Sequence, residues 1–262
     1  MFIEEYGLKS AEPVLLMLHG FTGTHQTFHA LLPAFPEARL LLPDLPGHGQ
    51  TGIGSPEDYP IEAACRNLLA FLDEQHIHQV ILIGYSMGGR IGTAFAVNYP
   101  ERVAGLVLLG SSPGLKTVLE REARRKRDVA LAEEIRQKGT VAFINKWENL
   151  PLFASQKKLS VEKKQKIRQE RLAQLSEGLA RSLVYGGTGA QDSYWEKLSG
   201  FHFPVLLLSG ELDRKFTRIN QEMLALLSNG QHVIMPDAGH AVHLEQPEKT
   251  AELINQWLKN LK

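Results

Sequence analysis

Scarcity narrows what this chain of 262 residues can be. It holds one cysteine, Cys65, so no disulfide can form within the chain. That residue lies in an apolar-periodic stretch and reads as a small core residue rather than a reactive thiol, and nothing points to an oxidising compartment. Charge of one sign is not in excess: 29 Lys and Arg balance 29 Asp and Glu, which argues against a general nucleic-acid or membrane-surface binder. No window approaches the ~18 uninterrupted apolar residues of a membrane span. The opening MFIEEYGLKS has no basic segment followed by an apolar run, so no signal peptide is expected and the default location is the cytoplasm. What is present, 43% hydrophobic and 22% charged residues, suits a compact protein with a sizeable core. The length suits one large α/β domain of roughly 250 residues.

The balanced charge is unevenly placed. From Lys116 to Arg181, 17 Lys and Arg stand against 9 Asp and Glu, a local net of +8. Such a block reads either as solvated helix faces or as a positive roof over an anionic ligand.

Short β-branched or Leu-rich runs alternate with longer helical patterns, which predicts a mostly parallel sheet covered by helices on both faces. The runs are Val14–His19, Arg39–Leu42, Val80–Gly84, Val103–Leu109, Val205–Ser209 and His232–Ile234. Their continuous hydrophobicity fits strands buried on both sides. Helices are expected over Ile61–Gln75, Met87–Asn98 and Pro247–Leu261, the last with Leu253, Ile254, Trp257 and Leu258 on one stripe. From Ser112 to Ser199 the alternation stops, and the sequence is charged, helical in pattern and free of strand-like runs. Residues 112–199 therefore read as a helical cap inserted into a core made of residues 1–111 and 200–262.

Gly84-Tyr85-Ser86-Met87-Gly88 matches G-x-S-x-G, with a strand-like run before it and a helical run after it. That context turns Ser86 into a nucleophile held above the sheet on a strained turn. It also aims the Met87 N–H, at a helix start, towards a developing oxyanion. An acid and a histidine should come later in the chain, in that order. Asp213 lies beyond the Val205–Ser209 strand and His240 beyond the His232–Ile234 strand, at the sheet edge that carries Ser86. Glu211 and Asp237 are rival acids, and His243 is the rival base. The Phe21 N–H, in Leu18-His19-Gly20-Phe21-Thr22-Gly23, is the expected second oxyanion donor. His76 and His78 flank a helix-to-strand connection and read as surface.

Two patterns carry less. Gly47-His48-Gly49-Gln50-Thr51-Gly52 matches G-x-G-x-x-G, but Ile53-Gly54-Ser55-Pro56 cannot open the helix a dinucleotide site requires. His25 and His29 have metal-compatible spacing without a third ligand or an H-E-x-x-H context. Neither a metal nor a nucleotide cofactor is expected.

The ordered set LHGFTG, DLPGHG, GYSMGGR, GELD and AGHAVH resembles the α/β-hydrolase superfamily across the whole chain. Sharper pieces are GYSMGGR ending at Arg90, Ser112-Pro113-Gly114-Leu115, Trp147 with Pro151-Leu152-Phe153, Gly187-Thr188-Gly189-Ala190-Gln191, and Asp213-Arg214-Lys215-Phe216. Together they resemble the 2-succinyl-6-hydroxy-2,4-cyclohexadiene-1-carboxylate synthases of menaquinone biosynthesis. The resemblance implies an α/β-hydrolase fold and a lyase that eliminates pyruvate from a small tricarboxylate. From the balanced charge, the lack of a membrane span and the two dismissed motifs, no cofactor, nucleic-acid partner or membrane insertion is expected. The resemblance also implies substrate contacts at Arg90, Arg124 and either Arg171 or Arg168, with Tyr85, Trp147 and Gln191 at the ring or its carboxylates. The alternatives are a carboxylesterase, thioesterase or carbon–carbon bond hydrolase with the same triad, or a binding protein that keeps the pocket without turnover.

Overall fold

The computed structural model describes residues 1–261. Seven strands form one sheet: β1 (Ile3–Tyr6), β2 (Val14–Leu18), β3 (Arg39–Pro43), β4 (Val80–Tyr85), β5 (Val103–Leu109), β6 (Val205–Gly210) and β7 (Gly230–Met235). Their spatial order is β1-β3-β2-β4-β5-β6-β7. All neighbours pair parallel except β1, which runs antiparallel to β3 with Ile3 opposite Pro43. The expectation of strands buried on both sides holds for β2 to β6. It fails for β7, which is half-exposed because it forms the far edge. The edge strand β1 is not among the runs expected from sequence.

Period-two alternation sends side chains of each strand into two cores. Leu16 and Leu18 of β2 join a core built with α1 (Ile61–Glu74) and α2 (Met87–Asn98). Leu15 and Met17 face the opposite core, which holds Ile254 and Trp257 of α8 (Pro247–Lys259). Strand order reverses between β2 and β4. Carboxyl ends of parallel strands at such a switch point frame a crevice, which is where an α/β sheet places its ligand.

Between β5 and β6 the chain leaves the sheet for α3 (Val118–Trp147), α4 (Val161–Leu172) and α5 (Ser176–Gly186), with no strand among them. Helix α3 opens on a reciprocal cap: the Glu120 N–H donates to Thr117 Oγ1 at 3.2 Å, and Glu120 Oε2 accepts the Thr117 N–H at 2.9 Å. It breaks at Gly139, whose φ of 80° is left-handed. Ala132, Ile135, Phe143, Ile144, Leu179, Ala180 and Leu183 form a small core of their own. This unit sits on the sheet domain by backbone contact: a Cβ on Gly178 would lie 2.2 Å from the Gly47 oxygen. The Gly-rich stretch at residues 47–52 thus serves as a docking surface for α5. Among the described residues no helix is long and apolar enough to cross a membrane.

Candidate active site

Ser86 sits between β4 and α2 with φ 48° and ψ −103°, a conformation non-glycine residues rarely adopt. The turn is possible because its neighbours lack side chains. A Cβ on Gly88 would fall 2.0 Å from the Leu18 oxygen, and one on Gly84 would fall 2.5 Å from Gly89 Cα. Two bonds fasten the turn to the carboxyl end of β5: the Ser86 N–H donates to Leu109 O at 3.0 Å, and the Ser111 hydroxyl donates to Ser86 O at 2.8 Å.

The fold brings Asp213 and His240 to this serine. His240 Nε2 lies 3.3 Å from Ser86 Oγ, and His240 Nδ1 donates to Asp213 Oδ2 at 2.7 Å. Asp213 caps α6 (Arg214–Leu224), its Oδ1 accepting the Phe216 N–H at 3.2 Å. Both carboxylate oxygens are therefore engaged, and the imidazole is held with Nε2 towards the serine. The rivals lie elsewhere. Glu211 accepts the backbone N–H of Asp237, and both acids are exposed. His243, in α7 (Val242–Glu245), is fully buried between Phe28 and Tyr85, and burial pushes its pKa down to about 3. It is a neutral core side chain.

The loop after β2 carries Phe21, whose N–H has no partner among the described residues. Met87 begins α2, where the first-turn N–H groups have no intrahelical acceptor. His19, to which the sequence pattern assigns no role, braces this loop. Its Nδ1 donates to Gly20 O at 2.8 Å and its Nε2 accepts the Leu45 N–H at 2.9 Å. Burial keeps it neutral, well below the usual histidine pKa. His48, also neutral with a pKa lowered by burial to about 4, packs edge-on to His19 and Phe21.

Above the serine lies a cavity of about 220 Å³, room for one substituted ring and not for a polymer. Its lining includes Tyr85, Trp147, Arg90, Arg124, Lys215 and Phe153. Tyr85 packs tilted against His240, with ring centres 5.4 Å apart. Trp147 packs edge-on to Phe21, and its buried Nε1–H has no protein partner among the described residues. Arg90 is 8% exposed. Its Nη1 and Nη2 donate to Gly186 O, both at 3.1 Å, and Nη1 also donates to Gln191 Oε1 at 2.9 Å. None of these acceptors is charged. Burial, and then the Arg124 charge, lower its pKa to about 10. Arg124 pairs through Nε with Asp128 at 2.7 Å, which leaves its two terminal nitrogens for other partners. Lys215 belongs to the Asp213–Phe216 motif, which by itself gives it no role. It is exposed along much of its length, yet desolvation in the cleft, with Arg124 next, lowers its pKa.

Two expected contacts sit differently. Gln191 does not line the cavity; it stands behind Arg90 and grips the guanidinium. Arg171 and Arg168 do not line it either. Arg171 stacks 4.8 Å from the Phe153 ring centre and donates to Gln156 Oε1 at 3.1 Å, and it lines two adjoining clefts, one with Gln156 and Lys164 and one with Phe21 and Tyr85. Arg168 is held by Glu148 and Asn145. Spacing along α4 could not show that Arg171 would pack on the ring of Phe153, from the preceding segment.

A family model described as alpha/beta hydrolase fold matches residues 13–247. A Bacillus subtilis (strain 168) protein named "Putative 2-succinyl-6-hydroxy-2,4-cyclohexadiene-1-carboxylate synthase" is 42% identical over 96% of this chain and 92% of its own. A Klebsiella pneumoniae 2-succinyl-6-hydroxy-2,4-cyclohexadiene-1-carboxylate synthase is 33% identical over 94% of each. Among solved structures, MenH from S. aureus superposes with a TM-score of 0.95 at 33% identity, covering 99% of this chain and 98% of that one. A thermophilic esterase from Thermogutta terrifontis, solved with malate bound, gives 0.87 at 28% identity over 99% and 93%.

Proposed function

Because the chain belongs to the α/β-hydrolase family and, within it, to the 2-succinyl-6-hydroxy-2,4-cyclohexadiene-1-carboxylate synthases, we propose that Ser86, His240 and Asp213 drive its elimination of pyruvate, with the cations of the cavity gripping the substrate. The reaction converts 2-succinyl-5-enolpyruvyl-6-hydroxy-3-cyclohexene-1-carboxylate to the ring diene, a step of menaquinone biosynthesis. The substrate's three carboxylates keep it in water, so we place the reaction in the cytoplasm. Residues 112–199 act as the cap over the site.

In this reading His240 Nε2 takes the Ser86 proton while the serine oxygen removes the ring proton beside the succinyl ketone. The resulting enolate oxygen is held by the Phe21 and Met87 N–H groups, which the backbone fixes in place and which need no reorganisation as charge develops. The enolate then collapses. Its electron pair forms the first ring double bond, the existing alkene shifts along the ring, and the C–O bond to the enolpyruvyl group breaks. The proton held on His240 returns through Ser86 to the departing enolate, giving pyruvate. No water is consumed and no acyl-enzyme forms. The 3.3 Å between Ser86 and His240 is of the kind that tightens once substrate is in place.

The observation that carries this reading is Arg90. A guanidinium that is 8% exposed and bonded only to neutral acceptors lines the same cavity as the triad. Asp128 is the acid whose charge reaches Arg90, and it is already paired with Arg124. A buried cation bonded only to neutral groups is costly, and a neutral ester would leave it so; a carboxylate satisfies it. Arg124 and Lys215 supply cations for the remaining carboxylates, and Gln191 fixes the orientation of Arg90. The test is pyruvate release, coupled to lactate dehydrogenase, by wild type and Ser86→Ala, beside a panel of simple esters. Fast release that collapses in Ser86→Ala supports the assignment. Absence of pyruvate together with Ser86-dependent ester cleavage would return the chain to the esterases.

A further inference from the structure

His25 and His29 lack a third ligand in the sequence, and the fold provides one. Glu4 lies on β1, and the ligand atoms of Glu4, His25 and His29 all fall within 4.8 Å of one another. No local spacing reveals this, because β1 reaches the histidines only by pairing with β3. We propose that Glu4, His25 and His29 form a binding site for a borderline divalent transition ion of the zinc class, separate from the catalytic cavity, whose lining includes none of them.

Asp44, behind the His25 ring, is fully buried. Its Oδ1 accepts both the His25 backbone N–H, at 2.6 Å, and the His25 ring Nδ1–H, at 2.9 Å. Its Oδ2 accepts the Gln50 N–H at 2.7 Å. The ring is thus fixed in orientation and tautomer, with the lone pair on Nε2, which has no protein partner among the described residues. A carboxylate behind the far nitrogen of a histidine is the usual outer support of a metal-binding imidazole. His29 Nε2 stands 2.7 Å from Glu4 Oε2, sharing one proton that an ion would displace. The Glu4 and His29 side chains are 28% and 27% exposed, so an ion can enter and keep water in its remaining positions.

Two imidazoles and one carboxylate select zinc, cobalt, nickel or copper over magnesium and calcium, which take oxygen ligands. Bonds of about 2.0–2.1 Å place tetrahedral ligand atoms about 3.4 Å apart. A separation of up to 4.8 Å therefore has to close by up to about 1.4 Å. Rotation of the two half-exposed side chains does this while His25 stays held by Asp44. A bound ion ties the edge strand β1 to the turn at His25–Phe28, so its effect falls on stability rather than on the reaction.

The test is calorimetric titration of the full chain with zinc chloride, and with magnesium chloride in parallel, followed by thermal unfolding. Wild type, His29→Ala, Glu4→Gln and His240→Gln are compared, the last to separate this site from zinc captured at the triad. The expected result is one zinc equivalent in wild type and in His240→Gln, with no magnesium binding. Affinity falls at least about tenfold in both His29→Ala and Glu4→Gln, the loss of one ligand. At a hundredfold excess of free zinc over Kd, wild-type Tm rises by about 5–10 °C. Absence of a stoichiometric zinc equivalent in wild type, its disappearance in His240→Gln, or unchanged binding in both ligand variants would overturn the proposal. Glu4→Gln is nearly isosteric and keeps the test open should His29→Ala fold poorly.

Discussion

Replacing Asp213 by Asn changes one atom and should remove most of the activity. The direction comes from how the carboxylate is held. Asp213 Oδ1 accepts the Phe216 N–H and Oδ2 accepts the His240 Nδ1–H at 2.7 Å. In Asp213→Asn the Phe216 N–H keeps the amide oxygen on its own side, so the NH₂ group faces His240. The ring then has to accept at Nδ1 and carry its proton on Nε2, where it no longer takes one from Ser86 3.3 Å away. In serine hydrolases the same exchange lowers kcat by about 10⁴. Here a loss of about 10³–10⁴ is expected, corresponding to about 4–5.5 kcal/mol of barrier. KM should hardly change, since Asp213 does not line the cavity. The coupled pyruvate assay measures both quantities, with Glu211→Gln as a control expected to stay within about twofold. A kcat loss below tenfold in Asp213→Asn, or an equal loss in Glu211→Gln, would refute the relay described here.

Arg124→Gln should raise KM for the tricarboxylate roughly 10–70-fold, about 1.5–2.5 kcal/mol for a charge-assisted contact at a side chain 35% exposed. It should also cost stability, read by urea unfolding, because buried Asp128 loses its partner. Gly178→Ala drives a Cβ to 2.2 Å from the Gly47 oxygen, and backbone cannot yield cheaply. A stability loss of about 1–3 kcal/mol is expected, with a raised KM because α5 also carries the Gly186 carbonyl that holds Arg90. Stability should fall steeply with pH below about 6.5, as urea midpoints at successive pH values would show. His48 and His243 have folded pKa values of about 4 and about 3, and His19 lies well below its usual value, so all three are neutral when folded and take up protons on unfolding. Their stabilisation is complete above about pH 6.5 and is lost as pH falls towards about 4, at a slope reaching about 4 kcal/mol per pH unit for three protons. Glu170, raised by burial, opposes this with one proton of the other sign. A flat profile between pH 7 and 5 would contradict the neutral-histidine assignment.

The parts of the fold that could be read from sequence are those where one physical cause dominates. Strands β2 to β6 are buried on both faces, so unbroken apolar runs mark them. β1, with Ile-Glu-Glu-Tyr, is a half-exposed edge whose only reason to be extended is its pairing with β3. The elbow was legible because Ser86 requires glycines at fixed offsets, and Asp213 and His240 because strand ends on one edge deliver them. What lay beyond reach depended on contacts between segments far apart in the chain. Arg171 packs on the ring of Phe153, Gln191 meets Arg90 across 101 residues, and Glu4 joins two histidines more than twenty residues away. Lys215 stands in a recognisable motif, but only its place in the cleft beside Arg124 marks it as part of the site.

Proton removal by Ser86 can be followed with substrate deuterated at the ring carbon beside the succinyl ketone, with pyruvate and product measured together. Elimination through Ser86 predicts a primary isotope effect on kcat/KM, pyruvate and diene formed one to one, and a diene from which that deuterium is absent. Pyruvate released without an isotope effect, alongside a ring product that keeps the deuterium and a hydroxyl where the ether stood, would mean that the enol ether is hydrolysed and the elimination account is wrong.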